Sequence, residues 1–563
     1  MGIQGLARRL EPYATRFSPG QLDGYSAVID GPALAYYAHK LALASAASAA
    51  RIPSYADIVA EAINWLAELE KSNIMVSAIY FDGALPLSKR AERVSRTEAN
   101  NRRVQQFRNN HAAVSCPVPT YLGSISYAFL APALQEALLD SPFSSKTKTV
   151  PGEADDWCAL HAKENARSLI FTSDTDLVLY DYTPDTLIVF LHDADVPAGI
   201  KAYSPDDIGK QLQLKSLVPF AYALLENQQD STKLLTQTAR LVKQTSKPYI
   251  DFATRYVTKI VLPSFMTDSP NSPLDLGMPT VDVRVSEFLY QALDGAESLF
   301  VYMPLLVEDP NQASAWNVGH DIRTLAYSIP LSRKGHTVVH EYRRKAQGIT
   351  VQQISPYTHT DVQTPLAALE RQTRSLTEWA VAKSVTPDLL WSLFGLSFVL
   401  AEVNTPPAIP LVQRVLNGEF DNTWAFVHLT ARLHAALYSL RMLSQIISVY
   451  LTDNPTTPTY STEKARLHTT ISSLVAHMKD FPSIPGVLGV PGQAKSVVVE
   501  HEVLKGLVEE IYRSNGMEVV REEVSSKKKK KQTREQERKK KKAEMREQAK
   551  PNVANAYSLL SHS

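Results

Sequence analysis

Three apolar runs near the front of the chain end in acid. SAVIDG carries Val28 and Ile29 into Asp30, SAIYFDG carries Ile79, Tyr80 and Phe81 into Asp82, and SLIFTSDTD runs out into Asp174 and Asp176. Short apolar runs closed by turn residues read as buried strands. Between the first two, Ile58, Ala62, Trp65, Leu66 and Leu69 recur at helical spacing, and Ser54 is placed to cap that helix. PGEADDWCALHAKENARSLIFTSDTD repeats the pattern: a helix opening at Pro151 and running to about Asn165, then a strand ending at Ser173. Strand–helix–strand order predicts an α/β fold, a parallel sheet flanked by helices. From about residue 363 to 472 helical spacing takes over, so the C-terminal region reads as mainly α-helical, and HEVLKGLVEEIYRSNG predicts one more helix.

The same pattern divides the chain. Residues 1–235 form the α/β domain. Residues 236–350 read as a mixed connector that includes the Pro/Ser/Asp-rich PSFMTDSPNSPLDLGMPT, 351–480 as a helical region, and 481–520 as the linker FPSIPGVLGVPG plus a terminal helix. Residues 521–563 form a Lys/Arg-rich tail, read as a solvated helix or a disordered arm. There is no internal repeat of fixed period. LLWSLFGLSFVLAEV is interrupted by Ser392, Gly395 and Ser397 and falls short of the roughly 20 apolar residues that cross a bilayer, so it predicts a core helix and no membrane partner.

Composition adds little; the distribution of charge adds more. With 563 residues, 44% of them apolar and 21% charged, the chain has the make-up of a globular protein of two or three structural units. Its cysteines, Cys116 and Cys158, are too few for a disulfide framework or a four-thiolate zinc site, which favours an intracellular setting. The formal charge of +1 hides a basic run at 527–542, KKKKKQTREQERKKKK, whose 11 Lys/Arg against 2 Glu give +9 and leave the rest of the chain at −8. Residues 86–113 also break the pattern. Lys89, Arg90, Arg93, Arg96, Arg102, Arg103 and Arg108 stand there against Glu92 and Glu98, with few residues able to build a core. The stretch is either a solvated surface helix or a positively charged arm over an acidic site.

The acids supply that site. Carboxylates at the C-terminal ends of neighbouring parallel strands converge on one edge of the sheet, where open α/β sheets bind ligands. Asp30, Asp82, Asp174 and Asp176 qualify, and Glu153 and Asp155 stand at a helix start that tolerates negative charge. Each alone also fits a turn, a cap or a first-turn acid. Packed together, such acids repel one another unless cations neutralise them, and hard oxygen ligands suit Mg2+ or Mn2+, as two ions in a phosphodiester-cleaving site. No CxxC or glycine-rich phosphate loop competes, and Cys158 with His161 reads as ordinary helix content.

In this order MGIQGL, IDG with a tyrosine six residues on, FDG followed by a basic arm, PGEAD and SDTD resemble the XPG/flap-endonuclease superfamily, which has a PIN-like nuclease fold. LARRLEPYA, SAVIDGPALAYYAHK and the PGEADD/TSDTDLVLYDY pair look most like its asteroid-homolog branch. The resemblance covers about residues 1–235. It implies that Asp30, Asp82, Glu153, Asp155, Asp174 and Asp176 are metal ligands, that Lys89 and Arg96 are arch bases at the scissile phosphate, and that Tyr36 stacks on a base near the cut. It also implies that Gly2 lets the chain end pack near the site, and that Arg93, Arg102 and Arg103 add nucleic-acid contacts. The departure is LVPFAYALLENQQD, where Gln228 occupies the position of a final metal-site Asp and the glycine of the family's turn is missing. The implied activity is a structure-selective endonuclease acting on DNA with single-stranded flaps or splayed ends, or on RNA. A catalytically weakened nucleic-acid-binding or protein-interaction scaffold is the alternative. The C-terminal helices are candidates for a protein partner, and the basic tail implies nuclear residence, with cytoplasm as the alternative.

Overall fold

The computed structural model describes residues 2–46, 52–111, 127–257, 280–331, 337–421, 423–454, 462–491, 493 and 498–518. The first helix, α1 (Leu6–Leu10), precedes β1 (Thr15–Phe17). Then come β2 (Ser26–Asp30), α2 (Gly31–Ala46), α3 (Tyr55–Lys71), β3 (Met75–Phe81), α4 (Arg90–Asn110), α5 (Leu130–Leu139), β4 (Thr147–Thr149), α6 (Ala154–Glu164), β5 (Ser168–Thr172) and β6 (Leu187–Phe190). The predicted parallel sheet is present: β4-β3-β2-β5-β6, with every neighbouring pair parallel. The chain builds outward from β2 to β3 and β4, then returns to the other side of β2 for β5. The point where strand order reverses therefore lies between the ends of β2 and β5, where ligand crevices form.

Both faces of this sheet are covered, which is why its strands read as continuous apolar runs. Val28 and Ile170 face a core shared with Cys158, Ala159 and Ala162 of α6. On the opposite face Phe171 meets Trp65 of α3 with ring centroids 5.3 Å apart. The expected α3 spacing is realised: Ile58, Ala62, Trp65, Leu66 and Leu69 are buried. Ser54 caps the helix in a reciprocal box, taking the Asp57 N–H at 3.1 Å while the Asp57 carboxylate takes the Ser54 N–H at 2.8 Å. The α6 helix begins at Ala154, later than the Pro151 start expected from sequence, because Glu153 is its N-cap and the Ala154 N–H is already held by Asp82.

A ribbon of β1 with β7 (Ala194–Asp195) and β8 (Gly199–Ala202) flanks the domain. Beyond it lie α7 (Pro205–Leu212), α8 (Val218–Glu226), α9 (Thr232–Leu241) and α10 (Lys247–Ala253). The stretch expected as a connector is structured where described. It holds α11 (Val283–Leu293), β9 (Ser298–Tyr302), α12 (His320–Leu331) and β10 (Val338–Lys345), and β10 turns into β11 (Gly348–Ile354). Strands β9 and β10 are parallel, and β10 and β11 form an antiparallel hairpin. Most of PSFMTDSPNSPLDLGMPT, Cys116 and the 527–542 run lie outside the described residues.

The helical region follows as α13 (Gln363–Ala382), α14 (Pro387–Ala401), α15 (Ile409–Asn417), α16 (Trp424–Asp453), α17 (Thr462–Met478) and α18 (Ile484–Val487), then α19 (His501–Ser514). LLWSLFGLSFVLAEV is buried as α14 against α16, a core helix as its pattern requires. Among the described residues no helix is long and apolar enough to cross a membrane. Residues 1–511 make one compact unit, and those from Tyr512 onward fall in a second. Within the first, α12 and β10 share a buried ion pair: Arg323 grips Glu341 at 2.7 and 3.0 Å, and Tyr327 donates to the same carboxylate at 3.1 Å.

Candidate functional site

Each carboxylate of the site is placed by a strand end or a helix start. Asp30 closes β2, nearly buried, and accepts the Ala33 N–H at 3.1 Å and the Thr172 hydroxyl at 2.8 Å. That second bond joins the ends of β2 and β5 across the crevice. Asp82 follows β3 and accepts the Ala154 N–H at 2.8 Å, so the third acid-bearing strand is tied to the start of α6. Glu153 caps α6 and Asp155 lies in its first turn. Asp174 accepts the Asp176 N–H at 2.9 Å, and Asp176 takes the Ile3 N–H at 2.6 Å and the Tyr256 hydroxyl at 3.0 Å.

Gly2 completes the floor. Its φ of +74° suits glycine, and a Cβ there would collide with Asp174, Thr175 and Asp176, so the chain end must be glycine to lie against the acids. Gly83, the exit from Asp82, is equally constrained: a Cβ would run into the Val150 carbonyl.

Burial and neighbouring acids raise the carboxylates of the site. Burial, then Asp82, pushes Asp30 up to about 7. Asp155 is raised well above the carboxylate range by burial, then by Asp30, Asp174, Asp82 and Glu153. Burial also lifts Asp82 and Glu153, partly offset in Asp82 by the Ala154 N–H, Arg93 and Lys89, and in Glu153 by Lys89. Burial followed by Asp174 raises Asp176. Lys89 reaches into the cluster, its Nζ 3.0 Å from Glu153 Oε2. Burial alone would lower its pKa, but Glu153, Glu92 and Asp155 together raise it.

Among the described residues, no three His, Cys, Asp or Glu side chains converge closely enough to hold a metal ion as they stand. Repulsion and ligation have different reach, which reconciles this with the coupled acids. Mg2+ requires oxygens at about 2.0–2.1 Å, whereas charges in a poorly screened pocket feel one another over roughly 8 Å or more. The chemistry of the donor set nevertheless fits a hard divalent cation: every group is a carboxylate, and burial leaves their negative charge underneutralised.

The basic arm exists as α4, and only Asn101 and Val104 of it are buried. Polar and aromatic contacts with the second half of the chain hold it instead. Arg93 makes two bonds to Glu287, at 2.7 and 2.9 Å, and lies over Tyr302. Arg90 stacks on Phe300, and Arg108 pairs with Asp309 at 3.0 Å and lies over Trp424. Arg96 pairs with Glu92 and is half exposed, while Arg102 and Arg103 are exposed farther along, Arg103 donating to Asn100. Thus Gly2, Asp30, Asp82, Lys89, Glu153, Asp155, Asp174 and Asp176 come together, and Arg93 is committed to an internal partner. Tyr36 stands exposed in the second turn of α2. Gln228 is exposed beyond α8, its carbonyl accepting from Arg9 at 3.2 Å.

Sequence reasoning missed Asp156, Thr172 and Tyr256. Asp156 accepts the Tyr180 hydroxyl at 2.7 Å, is raised by burial and feels Lys89. Its only sequence signal was its place in PGEADD. Thr172 sat unassigned inside SLIFTSDTD. Tyr256, 80 residues from Asp176, had no local signal.

The family described as "XPG domain containing" matches residues 126–355. That match is a distant link to proteins with an XPG domain. The matched span takes in Glu153, Asp155, Asp174, Asp176 and Gln228, begins after Asp30, Asp82 and the arm, and does not single out the asteroid-homolog branch. Among solved structures, the catalytic core of Rad2 in complex with DNA substrate (complex II) is similar at 15% identity, over 48% of this chain and 82% of that one, with a TM-score of 0.27. The catalytic core of Rad2 (complex I) is similar at 14% identity, over 48% and 95%, with a TM-score of 0.26. No curated protein matches.

Proposed function

We propose that the protein is a divalent-metal-dependent, structure-selective endonuclease acting on flap, splayed or single-stranded nucleic acid. The observation that carries this reading is the set of mutually repelling carboxylates, Asp30, Asp82, Asp155 and Asp174, gathered at the switch point of a parallel sheet with Lys89 at its rim. Asp30, Asp82, Glu153, Asp155, Asp174 and Asp176 would hold one or two Mg2+ or Mn2+ ions. Bound there, the ions supply a polarised water and neutralise charge on the phosphodiester. Lys89, released from Glu153, meets the scissile phosphate, and Arg96 adds positive field above it. Exposed Tyr36 offers its ring to an unpaired base, a sequence-tolerant contact. Arg102 and Arg103 extend the basic face along the strand, and DNA is the favoured substrate over RNA.

The second reading, a weakened scaffold on the same fold, draws on three observations. Donors already hold several of the acid oxygens, Lys89 is paired with Glu153, and Gln228 stands where the resemblance calls for an acid. The wording of LARRLEPYA and SAVIDGPALAYYAHK favours an asteroid-like member under either reading. The basic 527–542 run would place the protein in the nucleus and add salt-sensitive binding to phosphates. The test is Mg2+- or Mn2+-dependent cleavage of labelled flap, splayed and single-stranded substrates. Wild type should cut, and Asp82→Ala and Asp174→Ala should not. Absence of cutting by wild type, or equal cutting by all three proteins, removes the nuclease reading and leaves the scaffold.

A further inference from the structure

Both oxygens of Asp176 are met by a donor. The Ile3 N–H lies 2.6 Å from Oδ1, and the Tyr256 hydroxyl lies 3.0 Å from Oδ2. The hydroxyl comes from the short turn Thr254–Tyr256 that follows α10. The same run of helices holds Gln228, beyond α8, which is exposed and gives its carbonyl to Arg9. The helices after the sheet therefore reach Asp176 through a neutral hydroxyl, while the position where the resemblance calls for an acid faces outward.

The donor is itself held in place. Tyr256 is buried, and its ring meets Tyr180 and Phe252 edge to face, with centroids 5.9 and 5.2 Å apart. Phe252 packs on Tyr222 of α8 at 5.5 Å, and Tyr222 meets Tyr249 of α10 at 5.4 Å. Tyr249, Phe252 and Tyr256 share one core with Ile3 and with Val178, close after Asp176 in the chain. An ionised carboxylate offers about four lone-pair sites, so one donor on each oxygen fixes its rotation and still leaves sites for a cation. Carboxylates that ligate metals are commonly held in this way, and losing such an outer partner costs about 10–100-fold in metal affinity or activity.

We propose that Tyr256 is a positioning residue of the acid site: its hydroxyl fixes the Asp176 carboxylate as a ligand for a divalent cation. This rests on the divalent-cation reading above and adds to it a residue that acts through Asp176 without touching the ion. It also gives α8, α9 and α10 a part in the site, since their aromatic side chains set where the hydroxyl lies.

The test is Mn2+ affinity of the full chain, without nucleic acid, with free ion followed by electron paramagnetic resonance. Tyr256→Phe keeps the ring and its packing and removes only the hydroxyl, so the circular dichroism spectrum should stay that of wild type. Mn2+ binding should weaken about tenfold or more. Tyr127→Phe deletes a comparable buried hydroxyl, bonded to the Pro53 carbonyl at 2.8 Å, and should bind Mn2+ like wild type. In an Asp176→Asn background, Tyr256→Phe should cost nothing further, because its effect runs through that carboxylate. Wild-type affinity in Tyr256→Phe, an equal loss in Tyr127→Phe, or a second loss of the same size in the Asp176→Asn background would each overturn the positioning role and leave the cation site standing. Wild type that binds no Mn2+ would remove the cation reading, and the role of Tyr256 with it.

Discussion

The arm helix is docked by charge rather than by apolar burial, and removing one carboxylate should loosen it selectively. Glu287→Gln is the perturbation. The Glu287 side chain is 5% exposed and that of Arg93 26% exposed, and two bonds join them. Breaking a fully buried pair costs about 3–5 kcal/mol. Arg93 keeps some access to water, and the new amide can still accept one bond, so about 2 kcal/mol is the reasonable loss. The stacking of Arg90 on Phe300 and the Arg108–Asp309 pair remain, so α4 stays docked but opens more often. A loss of about 2 kcal/mol corresponds to roughly 30-fold faster exchange through local opening. Hydrogen–deuterium exchange of peptides from 90–110 reads this directly, with peptides from β2 and β5 as the internal reference. Unchanged exchange in the arm would refute the docking argument. So would an equal rise in the sheet, since that would mean the substitution had destabilised the whole unit.

Two further outcomes follow from single contacts. Gly2→Ala requires a non-glycine residue at φ +74° with its Cβ against Asp174 and Asp176, and it displaces the Ile3 N–H from Asp176. A charge-assisted bond of that kind is worth about 1.5–3 kcal/mol, so cleavage should fall at least tenfold while the melting temperature barely moves; wild-type cleavage rates would contradict the placement. Glu341 is pushed up by burial, but Arg323 and Arg343 outweigh this and hold it below its ordinary value. Its stabilisation is therefore complete above the unfolded-state value of about 4.3 and is lost as pH falls through the depressed folded value. Urea titrations at neutral and acid pH should show that dependence in wild type. Glu341→Gln should flatten it and cost about 3–5 kcal/mol at neutral pH, because Arg323 stays buried with a neutral partner. An unaltered neutral-pH midpoint would show that the pair is not holding α12 to β10.

The parallel sheet and its acids were legible because both are local signals. Each strand is a short apolar run, and the acid that follows it can face only the C-terminal edge. Ser54 was legible for the same reason, its partner Asp57 lying three residues away. Pro151 misled because proline's preference for a first turn is weaker than the bond from Ala154 to Asp82, which lies 72 residues earlier in the chain. Thr172, Asp156 and Tyr256 escaped because their roles depend on partners brought near by folding, Asp30 being 142 residues from Thr172. The arm was the hardest part to read. Its composition fits a solvated helix, and what seats it is Glu287, Phe300, Tyr302, Asp309 and Trp424, whose sequence neighbourhoods look unrelated to it.

The central claim is that the strand-end carboxylates form a divalent-cation site, and Mn2+ binding tests it most directly. Titrating the full chain with Mn2+ and following free ion by electron paramagnetic resonance should show one or two ions bound per chain. Asp155→Asn, at a carboxylate raised by burial and then by Asp30, Asp174, Asp82 and Glu153, should weaken that binding by tenfold or more without unfolding the protein. Failure of wild type to bind Mn2+, or equal binding by Asp155→Asn, would contradict the account.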